Sequence, residues 1–120
     1  MELVYATVKI SVQCNSLAAA KKLFGGQKAL AISLLSRINS LRNAPTIKDI
    51  IVQPQFRFHQ LKGTRFEGFF AMDVKTKKEP WRLILRPLDK NKKPFVPCHI
   101  DEIAEFVAIV EIREVSNHYE

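Results

Sequence analysis

The chain has 120 residues, 47% of them hydrophobic and 26% charged, with four Gly, six Pro and a formal net charge of +7. That length suits a single domain, residues 1–120, with one core, and the composition excludes disorder and a collagen-like repeat. Apolar runs such as 106–110 stop at charges far short of the ~20 residues of a spanning helix, so no membrane role is expected.

Residues 3–12 are rich in β-branched side chains and read as an opening strand. Asn15 or Ser16 caps a short helix over 17–24, which Gly25 and Gly26 stop. A second helix follows over 27–42. There Leu30, Leu34, Ile38 and Leu41 draw one apolar stripe, with Lys28, Ser33, Arg37 and Ser40 on the opposite side. Asn43, Ala44 and Pro45 end it, and Thr46 with Asp49 caps one more turn before Pro54.

From residue 55 the period changes to two. Phe56 and Phe58 share one face and Arg57 and His59 the other. Lys62, Gly63 and Thr64 form a turn into a strand over 65–74, where Phe66, Phe70, Met72 and Val74 oppose Arg65, Glu67 and Asp73. A third strand, 81–88, sets Trp81, Leu83 and Leu85 against Arg82, Ile84 and Arg86, and Trp81 is accordingly assigned to the core. A Lys-rich loop, a helical turn at 101–105 and a last strand over 106–115 complete the chain. The order predicts an α+β domain, with two N-terminal helices packed on one face of a mainly antiparallel sheet of four to five strands. By parity the other face is open and offers Arg57, His59, Arg65, Arg82 and Arg86.

The excess charge is concentrated. Residues 57–93 hold eleven Lys or Arg against four acids, a net of +7, while the other 83 residues sum to zero. Such a window predicts a footprint on a polyanion, because like charges on neighbouring strands repel unless an anion separates them. Cys14 and Cys98 stand 84 positions apart with no second pair and are read as free thiols. His59, His99 and His118 show no metal-ligand spacing, so neither metal nor cofactor is expected. The segment before Ala18, Ala19 and Ala20 carries Glu2 and is broken by Lys9, Gln13 and Asn15, unlike a signal peptide, and the expected location is the cytoplasm.

The phrase His59-Gln60-Leu61-Lys62-Gly63-Thr64-Arg65 is followed by an aromatic-rich strand, by Trp81-Arg82-Leu83, and by a terminal strand running into Asn117-His118-Tyr119. Over about residues 28–119 this resembles the HigB branch of the RelE-type toxins of bacterial toxin–antitoxin systems. There H-x-L-K-G-x-R precedes a W-R-I/L strand and a C-terminal strand closing on His, Tyr and acidic residues. The resemblance implies a RelE-like fold and a ribosome-dependent endoribonuclease that cuts messenger RNA without metal. It also implies a co-expressed antitoxin carrying a helix-turn-helix, with the toxin monomeric alone and heteromeric with that partner. The antitoxin's contact segment is expected to be acidic or to cover the open face, because the basic window needs neutralising.

Metal-free cleavage uses the substrate's 2′-hydroxyl as nucleophile, so the enzyme must move two protons and stabilise charge on phosphorus. His59 and Lys62 are the candidates for proton transfer and positioning, Lys62 acting as a base if neighbouring cations depress its pKa and otherwise as a phosphate contact. Arg65 and Arg82 match the family positions that stabilise the phosphorane; the alternative for them is a surface pair partnered by Glu67 and Asp73. His118 and Tyr119 are the tail candidates for acid catalysis or base stacking. Here the chain reads Asn117-His118-Tyr119 where many family members have Asp-Tyr-His, which leaves the individual roles open. Arg57, Arg86, Lys90, Lys92 and Lys93 are assigned to neighbouring phosphates. Two rival functions share the residues: a non-nuclease toxin of the same fold, like the ParE inhibitors of DNA gyrase, and a basic nucleic-acid-binding module without activity.

Overall fold

Thr7 ends the first strand early. In the computed structural model, which describes residues 1–118, β1 covers only Glu2–Tyr5. The Thr7 hydroxyl then accepts from the Ile10 amide at 3.2 Å and starts helix α1, Val8–Asn15. This corrects the strand expected over 3–12. In a helix Ile10 and Cys14 fall one turn apart and reach the core, while Val8, 81% exposed, and Val12 face outward. A capped, half-buried turn outweighs the β preference of its branched side chains.

Ser16 caps α2, Leu17–Leu23, by accepting from the Ala19 amide. Helix α3, Lys28–Asn43, buries the stripe Leu30, Leu34, Ile38 and Leu41 as its spacing predicts. Three helices, α1 to α3, thus stand where two were expected. A short α4, Lys48–Ile51, follows, with Asp49 accepting from the Thr46 amide and hydroxyl at 3.2 and 3.4 Å.

The sheet has five strands in the order β1-β5-β4-β3-β2, with β2 at His59–Gln60, β3 at Phe70–Asp73, β4 at Arg82–Leu88 and β5 at Ile109–Ser116. A turn of helix, α5, Ile100–Ile103, precedes β5. β1 joins β5 in parallel and the other three pairings are antiparallel, so the molecule is an α+β domain on a mixed sheet. Leu83 and Leu85 of β4, Met72 and Val74 of the β3 region, and Val110 and Ile112 of β5 meet the helices in one core. Trp81 joins it edge-on to Phe24, ring centroids 4.9 Å apart. No helix among the described residues is long and apolar enough to cross a membrane.

Two further strand expectations are corrected. Pro54–Phe56 is a 3-10 turn, and Arg57 adopts a left-handed backbone at φ 46°, which leaves only two residues to β2. The strand expected from Arg65 starts at Phe70, because a second 3-10 turn at Thr64–Phe66 lies between Gly63 at φ 99° and Gly68 at φ 83°. Residues 61–69 therefore form an excursion rather than a tight hairpin. That excursion closes the face expected to be open: Leu61, with Phe66 and Phe69, covers Ala71 and Ile84 in a second, smaller apolar cluster.

Candidate functional site

Asp73, at the end of β3 and 2% exposed, organises the region. The Arg57 guanidinium donates to both its oxygens, with Nε at 3.1 Å from each and a terminal nitrogen at 3.0 Å from Oδ1. Arg82, its cross-strand neighbour, brings Nε to 3.3 Å of Oδ1. From α3, Arg37 donates to the Asp73 carbonyl and the Lys75 carbonyl, both at 3.0 Å, and lies over the Phe56 ring. Burial lowers the Arg37 pKa below the ordinary guanidinium value, with the Asp73 charge opposing. Arg37 is thus no part of a plain solvated helix face.

Arg57 carries a second task through its backbone. Its carbonyl oxygen lies 2.7 Å from His59 Nδ1. A carbonyl only accepts, so Nδ1 bears the hydrogen and, in the neutral ring, Nε2 is the basic nitrogen. The left-handed turn at Arg57, held by Asp73, therefore sets both the position and the tautomer of His59.

His59 lines a cleft of ≈ 390 Å³ with Arg57, Gln60, Leu61, Lys62, Phe66 and His118. His118 follows the end of β5, and its amide donates to the buried Ser116 hydroxyl at 3.0 Å. Ser116, Arg82 and Asp73 lie side by side on three adjacent strands. Strand pairing is what brings a histidine near the end of the chain to one 59 residues earlier. Four residues named from sequence, Arg57, His59, Lys62 and His118, thus share one cleft.

The other described candidates do not line it. Arg82 has a side chain only 7% exposed, and its guanidinium donates to the carbonyls of Glu79, Trp81 and Lys77 at 2.6, 2.9 and 3.2 Å. It ties the β3–β4 connection to Asp73 and is almost wholly buried, rather than lying on an open face as expected. Arg86 is likewise committed: it donates to Glu111 Oε1, directly across the strand pair, at 3.1 and 3.2 Å and lies over Phe69. The anions expected between the sheet's arginines are the chain's own carboxylates, Asp73 and Glu111. Arg65 is exposed and faces a neighbouring cleft with Arg113. Lys90, Lys92 and Lys93 lie beyond the opposite end of β4, where Lys92 pairs with Glu2 of β1 at 2.8 Å. Tyr119 lies outside the described residues. No three of His, Cys, Asp and Glu converge as a metal site among the described residues.

Sequence reasoning missed Arg113 and Phe69. The signal for Arg113 is a phase break: Val110 and Ile112 face the core, but the next core residue is Val115 rather than residue 114. Compared with known proteins, the chain matches no family model and no curated protein.

Proposed function

We propose that the chain is the toxin of a toxin–antitoxin pair, an endoribonuclease that cuts messenger RNA on the ribosome by metal-free attack of the 2′-hydroxyl on the adjacent phosphate. The observation that carries this reading is one cleft lined by two histidines, Arg57 and Lys62. Such a site provides the two proton carriers and the cationic clamp that the reaction needs.

In this mechanism His59 Nε2 takes the proton of the 2′-hydroxyl as the 2′-oxygen bonds to phosphorus. The bond from phosphorus to the 5′-oxygen breaks, and His118 delivers a proton to that leaving oxygen. The product is a cyclic phosphate. Arg57 and Lys62 hold the charge that gathers on the non-bridging oxygens. Arg82 acts as a positioning residue through Asp73 and Arg57. The resemblance to the HigB branch supplies the ribosome and the antitoxin in this reading.

The test is primer-extension mapping of cellular messages after induction of the chain in a bacterium, beside His59→Ala, His118→Ala and Lys62→Ala. Cuts at coding positions that vanish in the histidine variants support the reading. Growth arrest with intact messages points instead to a toxin that does not cut RNA, and no arrest leaves a binding module.

A further inference from the structure

Phe66 lines not only the His59 cleft but also a second one of ≈ 220 Å³, bounded by Arg65, Phe69, Ile84, Arg113 and Glu114. Two features make this second cleft a built surface. The first is a pair of arginines on rings: Arg65 lies over Phe66 at 5.1 Å, and Arg113 over Phe69 at 5.8 Å. A guanidinium held against an aromatic face is oriented before any ligand arrives, with its N–H groups at its edge. The second is a bulge in β5. Ile84 pairs with Glu114 and Leu85 with Ile112, so Arg113 is the inserted residue. Following inward Ile112, Arg113 points outward into the cleft, where it is exposed, and the inserted residue brings Glu114 beside it in place of a core residue. Its contact with Glu111 is long, 3.5 Å, and lacks hydrogen-bond geometry.

We propose that this cleft binds the nucleotide next to the one cut in the His59 cleft, with its phosphate between Arg65 and Arg113 and its base against the Arg113–Phe69 pair. The inference rests on the RNA-cutting reading and extends it to a second subsite. Single-stranded RNA is the ligand because an aromatic wall requires an unstacked base, which a duplex does not present. Glu114 is the one acid among the described residues lining the cleft and accepts from an exocyclic amino group, giving preference to bases that carry one.

The experiment uses the full chain and 2′-O-methyl RNA oligonucleotides of two, three and four residues, which lack the attacking hydroxyl and stay intact. Affinity is expected to rise about tenfold with the nucleotide that reaches the second cleft, as for one stacked base. Arg113→Gln and, separately, Phe69→Leu abolish that gain and leave the affinity of the shortest oligonucleotide unchanged. The slope of log affinity against log salt falls by about 0.7 in Arg113→Gln, as for one lost phosphate contact to a single strand. Phe69→Leu keeps apolar volume in the small cluster, and an unchanged unfolding midpoint in both variants separates binding from folding. The same length dependence in the wild type and both variants overturns the subsite, while message cutting that still depends on His59 leaves the enzyme reading intact. Duplex RNA bound as well as single-stranded RNA overturns the choice of ligand. No binding at any length, with messages intact in cells, removes both.

Discussion

Arg57 and Arg82 reach one buried carboxylate, Asp73, from two different elements, and Arg57 passes the constraint on to His59 through its carbonyl. Removing the carboxylate strands the buried Arg82 charge, so Asp73→Asn is expected to cost about 3 kcal/mol in urea unfolding. It also slows message cutting by loosening His59. His59→Ala gives the opposite split, with cutting lost and unfolding nearly unchanged, because the imidazole lies at the cleft rather than in the core. A second residue-scale expectation concerns the thiols. Burial pushes the Cys14 thiol up to about 12, with Arg42 lowering it in part, and burial also raises the half-exposed Cys98. Cys98 is therefore labelled first by a disulfide reagent at pH 8, and Cys14 only as fast as the chain unfolds. The raised pKa has a further sign. Above the ordinary thiol value of 9.0 the unfolded chain ionises at Cys14 and the native chain does not, so this contribution to stability is full below pH 9 and is lost as pH rises towards about 12.

At the scale of elements, the excursion over 61–69 is the feature that makes the site. Gly63, at φ 99°, turns the chain so that Lys62 lines the His59 cleft while Phe66 folds back on the sheet. A Cβ at Gly63 meets only Phe66 Cδ2 at 3.8 Å, an ordinary contact, so the cost of an alanine there is conformational. Gly63→Ala is expected to lose about 1 kcal/mol or somewhat more in chemical denaturation. It also reduces message cutting by moving Lys62. The bulge at Arg113 acts on the next strand in the same way: one inserted residue keeps Val115 in the core and changes what the outer face presents. Both features depart from ideal strand geometry beside the clefts they build.

Across the whole molecule, the basic window of the sequence does not become one patch. Lys62 lines the cleft, Arg82 and Arg86 are paired with acids, and Lys90, Lys92 and Lys93 sit beyond the far end of β4, where Lys92 meets Glu2. Six strand steps from Arg82 to Leu88 span ~20 Å. Replacing all three distal lysines by alanine is expected to slow message cutting less than about threefold, since that separation exceeds two Debye lengths at physiological salt. Lys62→Ala, one charge at the cleft, has the larger effect. Quantified primer extension on the two variants compares them directly.

Side-chain periodicity by itself determined the helix that packs on the sheet, the inward phase of Leu83, Leu85, Met72 and Val74, and the α+β class, because burial on one face imprints a period of 3.6 or 2 on the residues. The phrase over 59–65 and the tail at 117–119, rather than any period, marked His59, Lys62 and His118. Tertiary structure alone decided which arginines are available. Arg82, Ile84 and Arg86 alternate as predicted, yet the loop over 61–69 folds onto their face and two acids on neighbouring strands take up the charge. Strand register, loop closure and the convergence of His59 with His118 depend on partners far away in sequence, and a local pattern carries no record of them.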